Sequence, residues 1–241
     1  MPVSFRPLPA LTVVCTMLFA ALLALGVWQL QRLQWKLGLI AQVNRNMTST
    51  PITLDQALAM GGGAQYRRVR LDGRFENTRE AYVFGTGVQG APVFHVIVPF
   101  KTPDGRTLLV DRGIVPRDLR DPATRKRGLI EGRTTVAGVW RTPDPPGAFT
   151  PPPDMSKRIW YSRDAGGIAS ADREVLAADV VIEADATPNP GGWPKGGQTE
   201  VNFRNEHLQY AITWFLMAAG LLGVYLAYHL SQGRLTFGNK T

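Results

Sequence analysis

The sequence contains one cysteine, Cys15, among its 241 residues. A lone cysteine cannot form an intramolecular disulfide, and no C-x-x-C pair is present for a zinc or redox site. The motifs of several common enzymes are also missing: a glycine-rich phosphate loop, G-x-S-x-G, H-E-x-x-H and the C-x-x-C-H haem attachment sequence. We therefore predict that the protein is not an enzyme, and an enzyme acting on lipid or peptide has no supporting group of residues.

Acidic residues are missing from both ends of the chain. All 19 lie between Asp55 and Glu206, and 24 of the 27 basic residues lie between Arg32 and Arg204. The middle therefore carries +5 (24 − 19) of the formal net charge of +8, with alternating signs. This pattern does not favour nucleic acid as a partner. The densest basic cluster, residues 117–133, is interpreted as a solvated loop, with contact to anionic lipid or an acidic partner as the alternative.

The ends are instead apolar. Residues 8–30 and 208–230 are each long enough to cross a hydrocarbon layer of roughly 30 Å at about 1.5 Å per residue. The first run could also be a cleaved signal peptide, with Ala24-Leu25-Gly26 as a weak cleavage site. However, its helical pattern continues through "VWQLQRLQWKLGLI" (27–40), which mixes tryptophan, glutamine and basic residues as membrane interfaces do. We therefore predict a retained membrane anchor.

The polar middle predicts a mainly-β fold, because short β-branched and aromatic runs alternate with Gly and Pro turns. Strands are expected at residues 66–75, 81–84, 93–100, 107–115, 135–140, 159–162 and 180–183, a helix at 170–178 and an irregular loop at 188–197. Asp111-Arg112-Gly113 is interpreted as a strand end with an ion pair that supports the fold. His95 is interpreted as structural because its strand places apolar neighbours on both faces.

The predicted fold class is a membrane protein in which two transmembrane α-helices flank a mainly-β (α+β) extracytoplasmic domain. The helices are expected at 8–30 and 208–230, the domain with its juxtamembrane segments at 31–206, and a short cytoplasmic tail at 231–241. Counting Lys and Arg beside the spans does not settle the orientation. The segment between the spans is far longer than the roughly 60 residues over which the positive-inside rule holds.

Four blocks of the sequence resemble the surfeit locus protein 1 family. They are "LGVWQLQRLQWK" (25–36), "YRRVRLDGRF" (66–75), "VFHVIVPF" with "LLVDRGIVP" (93–116) and "NEHLQYAITWF" (205–215). The blocks occur in order and are specific as a set, although each alone is a weak signal. One departure is Ile114, where the family commonly has a tryptophan after the "RG" pair; this argues against a specific stacking role there.

The resemblance implies an assembly factor for cytochrome c oxidase. It further implies binding of haem a and help in its delivery to the catalytic subunit of the oxidase, with the haem a synthesis machinery as a second partner. In the family a histidine of the second span is the proposed iron ligand, and the matching residue here is His207. No Arg- and Ser-rich transit peptide precedes the first span, so we expect a bacterial inner-membrane member with its central domain in the periplasm.

The residues around His207 permit this role. Asn205 is expected to cap the second helix, so that His207 lies in the first turn, where the helix dipole favours neutral imidazole. Tyr210 and Trp214 continue the same face, Trp214 could pack on a macrocycle edge, and Arg204 could pair with a propionate.

Ala211 and Ala218 on that face are expected to leave room for the macrocycle. An idle interfacial histidine is the alternative interpretation, and a scaffold that stabilises an assembly intermediate without a cofactor is the alternative function. The sequence does not distinguish haem a from haem b, and it identifies no second axial ligand.

Overall fold

The computed structural model describes residues 3–87, 90–199, 201 and 203–237. These residues form two compact units. The first consists of the described parts of Met1–Gln42 and Asn202–Thr241, and the second of Val43–Val201. The helices are α1 (Pro9–Thr48), α2 (Leu54–Met60), α3 (Ala165–Ala171) and α4 (His207–Ser231). The strands are β1 (Val3–Phe5), β2 (Arg68–Phe75), β3 (Ala81–Thr86), β4 (Pro92–Lys101), β5 (Thr107–Pro116), β6 (Thr134–Arg141), β7 (Ile159–Trp160), β8 (Leu176–Ala184) and β9 (Leu235–Phe237).

The first unit contains α1 as far as Gln42, α4 and a two-stranded sheet. Both α1 and α4 are long and apolar enough to cross a membrane. Their side chains meet at Gly26, where an added Cβ would lie 2.6 Å from the Phe215 ring, and at the 2.7 Å hydrogen bond between the Thr12 and Tyr225 hydroxyls. Antiparallel pairing of β1 with β9 joins the two ends of the chain. The helical continuation predicted beyond residue 30 is confirmed, since α1 is unbroken to Thr48.

A closed β structure forms the second unit. Seven strands lie in the order β2-β6-β8-β5-β4-β3-β7, and an additional pairing of β2 with β4 closes five of them into a ring. The pairs β5–β8 and β3–β7 are parallel, whereas the others are antiparallel. A core of apolar side chains from the ring strands includes Leu71, Phe100, Leu108, Val136 and Ile182. The predicted fold class of two membrane helices flanking a β-rich domain is therefore confirmed.

The helix predicted at residues 170–178 is wrong. The helix lies earlier, at Ala165–Ala171, because the Asp164 side chain caps it by accepting a hydrogen bond from Gly167 N at 2.9 Å. Residues 176–184 are strand β8 instead, where Ala177 and Ala178 pack against the core of the ring. Packing against neighbouring strands thus overrides the helix propensity of alanine.

The basic cluster at residues 117–133 is not simply a solvated loop. Arg125 is buried and forms a two-pronged ion pair with the buried carboxylate of Glu80. Its Nε also donates to the Leu119 carbonyl at 2.9 Å, and the Tyr82 hydroxyl donates to Glu80 Oε2 at 3.1 Å. Burial and the Glu80 carboxylate raise the pKa of the Tyr82 phenol. Part of the cluster therefore anchors the fold.

An ion pair predicted at Asp111-Arg112-Gly113 is present for Asp111 but not for Arg112. Asp111 pairs with His95 (2.8 Å) and lies 3.6 Å from Arg163 Nε. Arg112 forms no ion pair with a described carboxylate. The segment also lies inside β5 rather than at its end. It contains a bulge opposite His95 and Ile97 at which Gly113 takes a φ of +113°.

Candidate functional site

His207 is the first residue of α4, within the first turn as the sequence predicts. The expected cap is wrong, however. Glu206 occupies the cap position and makes no capping hydrogen bond with its side chain, while Asn205 Oδ1 is buried without a hydrogen-bond partner among the described residues. Glu206 takes the cap position because the helical conformation begins at His207, one residue later than an Asn205 cap would place it. The backbone N–H groups in the first turn of α4 therefore donate no hydrogen bond to the side chain of the capping residue.

A side chain of the other long helix, α1, fixes the orientation of the His207 ring. Its Nδ1 lies 2.8 Å from Oε1 of Gln29, which belongs to α1. A carbonyl oxygen can only accept, so Nδ1 donates this hydrogen bond, and in the neutral imidazole Nε2 then keeps its lone pair. Nε2 makes no hydrogen bond to any described residue. This is the arrangement found for histidines that bind metals, in which the second nitrogen is held by a carbonyl or carboxylate.

The other residues predicted on this face of α4 differ in how far they are exposed. Tyr210 is about half exposed, and Trp214 is half-buried with its indole Nε1 lacking a partner in the described chain. Ala211 and Ala218 do not leave room for a macrocycle. Both are buried, and they lie either side of Phe215, whose ring contacts α1 at Gly26. The small residues therefore allow the close approach of two helices, which is the usual role of small residues in membrane helices.

Arg204 is strongly exposed and forms an ion pair with Glu206, with Nε and Oε1 2.7 Å apart. The pair lowers the pKa of the Glu206 carboxyl through its hydrogen bond and charge. An exposed pair of this kind holds its partners only weakly. Arg204 is thus able to exchange Glu206 for another anion.

Sequence reasoning missed Gln29 and the cations that follow it on α1. Arg32 lies over the rings of Trp35 (4.8 Å) and Trp28 (5.9 Å), and Lys36 lies 5.5 Å from the ring centre of Phe203. These contacts hold two positive charges beside aromatic rings. The sequence did contain a signal for Gln29. It is a polar residue near the end of the first apolar run, and His207 lies at the corresponding boundary of the second run.

The remaining two histidines have both ring nitrogens engaged. His229 is fully buried, with Nδ1 2.9 Å from the Tyr225 carbonyl oxygen and Nε2 accepting from Leu8 N at 3.4 Å. His95 bonds Asp111 through Nδ1, and Arg163 Nη2 lies 3.4 Å from each of its ring nitrogens. No group of three or more potential metal ligands occurs within the described residues. His207 is therefore the histidine with one ring nitrogen that makes no hydrogen bond to the described residues.

Asp111 is a buried carboxylate that pairs with His95. Burial alone would raise the pKa of its carboxyl, but His95, Arg163 and the Gly113 N–H (2.9 Å) together hold it below its ordinary value. The group borders a polar cavity of about 410 Å³. His95, Asp111 and Arg163 contact one another, so this cluster supports the fold.

The fold and the site together define a class: a membrane protein with two candidate spans and a closed β domain between them. At the start of the second span lies a histidine with one ring nitrogen that no described residue engages. Comparison with known proteins makes the class specific. The sequence profile of the SURF1 family matches residues 16–219, and the chain belongs to this family.

Relatives at about one-third identity cover most of the chain. A surfeit locus protein 1 from Takifugu rubripes is 34% identical over 220 residues, 83% of this chain and 89% of the relative. The Homo sapiens surfeit locus protein 1 is 34% identical over 211 residues, 81% of this chain and 69% of the relative. A SURF1-like protein from Drosophila melanogaster is 30% identical over 218 residues, covering 83% and 71%. The resemblance seen in the four sequence blocks is thereby confirmed.

Proposed function

We propose that the protein is an assembly factor for cytochrome c oxidase that binds haem a and helps deliver it to the catalytic subunit. Membership of the SURF1 family supports the assembly role. In this proposal the protein lies in a bacterial inner membrane with its β domain in the periplasm. It receives haem a from the synthesis machinery and holds it as cargo.

The geometry of His207 is the observation that carries the haem proposal. Its Nδ1–H is held by Gln29 at 2.8 Å, and Nε2 is free to donate its lone pair to iron. Haem a would be the metal-bearing cargo, and His207 would supply a nitrogen ligand for its iron. Because the hydrogen bond from Nδ1 fixes the ring, little side-chain freedom is lost when iron binds.

Three other predicted residues contribute in different ways. Trp214 offers a half-buried indole N–H without a described partner, and Tyr210 offers an exposed ring on the same helix. Arg204 can leave its weak surface pair with Glu206 to neutralise a propionate. Ala211 and Ala218 are buried, so they offer no surface to the cargo.

An absorption spectrum of the purified protein, from cells that make haem a, tests the proposal. The wild type is expected to carry haem, and His207→Ala to lose it or shift its spectrum strongly while the protein level in the membrane stays normal. Gln29→Leu should leave the iron ligand in place but weaken haem retention by roughly 10- to 100-fold, the usual effect of removing the hydrogen bond behind a ligand.

His229→Ala is the control, since both nitrogens of His229 are already engaged at the other end of α4. It should leave the haem spectrum unchanged. If His207→Ala keeps an unaltered spectrum and His95→Ala loses it, the ligand assignment is wrong. If the wild type carries no haem even when haem a is abundant, the cofactor-free scaffold explains the family role better.

The assembly role is tested separately in a deletion strain. Loss of the protein should lower oxidase activity by leaving the catalytic subunit short of haem, while other membrane proteins are made normally. Normal haem content and activity of the oxidase in that strain, with no second family member present, would refute the role.

A further inference from the structure

A cavity of about 510 Å³ lies in the β domain beside Arg112. Three arginines line it: Arg68 and Arg70 from β2, and Arg112 from β5. The lining carboxylate is Asp185, so the charged groups at the wall sum to +2 (three guanidinium groups and one carboxylate). An excess of positive charge around a concave site favours an anionic ligand.

Arg112 is the unusual member of this group because it is almost completely buried, with 1% of its surface exposed. Its Nη2 donates to the Gly128 carbonyl (2.7 Å) and to Asn189 Oδ1 (2.8 Å), and its guanidinium lies 4.6 Å from the centre of the Phe75 ring. Its Nη1 is also buried but has no hydrogen-bond partner in the described chain. A buried guanidinium with an unused donor is costly unless an anion meets it.

The charges near Arg112 do not supply that anion. Glu80 is the carboxylate whose field reaches Arg112, and it is already neutralised by its buried ion pair with Arg125. Loss of hydration consequently lowers the pKa of Arg112 to about 10. Arg112 therefore remains charged at neutral pH with its charge uncompensated.

The other two arginines leave most of their capacity free. Arg68 Nη2 lies 3.6 Å from Asp185 Oδ2. The second oxygen of Asp185 already accepts from Thr187, at 3.0 Å from the backbone N–H and 2.6 Å from the hydroxyl. Arg70 is exposed, and no carboxylate of the described residues pairs with it. The cavity thus has a buried guanidinium donor at its wall and two more arginines around it.

We propose that this cavity binds a phosphate group, with Arg112 as its buried anchor and Arg68 and Arg70 as the outer contacts. Phosphate has more acceptor oxygens than carboxylate and suits guanidinium donors approaching from several directions. The volume exceeds that of a single inorganic phosphate, so the group can belong to a larger molecule. Two sources share this chemistry: a soluble phosphate compound and a phospholipid headgroup.

Calorimetric titration of the detergent-purified full-length protein tests the proposal. Inorganic phosphate and glycerophosphoglycerol, a soluble phospholipid headgroup, serve as probes at constant ionic strength. Saturable binding of inorganic phosphate would support a soluble source, and binding of the headgroup alone would support a lipid source. Arg112→Gln and Arg70→Gln should each weaken binding of the active probe by roughly 10- to 100-fold, since each removes a charged hydrogen-bond donor.

Arg173→Gln is the matched control, because Arg173 is exposed and does not line the cavity. It should bind the probe as the wild type does. Arg70→Gln keeps the test valid if Arg112→Gln fails to fold, since Arg70 is a surface residue. The proposal is overturned if neither probe binds saturably to the wild type, or if Arg70→Gln and Arg112→Gln bind as tightly as Arg173→Gln.

Discussion

Removing the negative partner of the buried Glu80–Arg125 pair should strongly destabilise the β domain. Both side chains are only 3% exposed, and Arg125 has no second carboxylate within ion-pair distance in the described chain. Glu80→Gln keeps the size of the side chain but leaves a buried guanidinium without its counter-charge. Breaking one side of a buried pair typically costs about 3–5 kcal/mol. The same substitution weakens the acceptor for the Tyr82 hydroxyl.

The expected effect on thermal unfolding follows from the size of the domain. For domains of this length, each kcal/mol shifts the melting temperature by about 2–4 °C, so Glu80→Gln should lower it by roughly 6–20 °C. Fluorescence of the buried Trp140 and Trp160 reports unfolding of this unit. Glu131→Gln is the control, because Glu131 is exposed and has no ion pair in the described chain.

An apolar replacement of both partners separates charge from packing. Glu80→Leu combined with Arg125→Met removes both buried charges, and pairs replaced in this way often lose little stability. The double variant should therefore melt well above Glu80→Gln. A drop for Glu80→Gln of less than about 2 °C, no larger than that of Glu131→Gln, would show that the pair is not the anchor its burial indicates.

Three further predictions concern other parts of the chain. Gly113→Ala should destabilise the domain by roughly 2–5 kcal/mol in denaturant unfolding, because φ is +113° and the new Cβ would lie 2.0 Å from the Lys195 carbonyl oxygen. The ion pairs of Asp111 should stabilise the fold fully above the unfolded pKa of 3.8 and lose this effect as pH falls through the lowered folded pKa, so Asp111→Asn should flatten that acid limb. A reporter active only in the periplasm should work when inserted within residues 145–153 and be silent when fused after Thr241.

Each of these has a result that would contradict it. Gly105→Ala, at φ +88° with open space around the new Cβ, should cost only about 1–2 kcal/mol; equal costs at the two glycines would remove the steric argument. An unchanged acid limb in Asp111→Asn would mean that its contacts do not favour the carboxylate. An active reporter after Thr241 would invert the topology, and an intact mass beginning at Val27 would establish a cleaved signal peptide.

Local patterns in the sequence were sufficient for the two long helices and most strands. The apolar runs and the alternation in segments such as 66–75 depend on neighbouring residues, and the structure places a helix or strand at each. The closure of the ring could not be predicted in this way. It depends on pairings between distant residues, such as Phe75 with Phe100 and the parallel contact of β5 with β8.

The site could be predicted only in part, for a related reason. His207 is marked by the boundary between polar and apolar sequence, but its partner Gln29 lies 178 residues away. The relative register of the two long helices decides that contact, and no single-helix pattern encodes it. The burial of Arg112 and Arg125 was missed because charge patterns alone do not reveal which guanidinium groups the loops cover.

The pairing of β1 with β9 has a consequence for how the chain is made. Val3 pairs with Phe237, 234 residues later (237 − 3), so this small sheet can form only after residue 237 has left the ribosome. β1 therefore stays without its partner strand until α4, which directly precedes β9, has been synthesised. The sheet is thus a late event in the folding of the first unit. Extensions placed directly before β1 or after β9 would act on this last step.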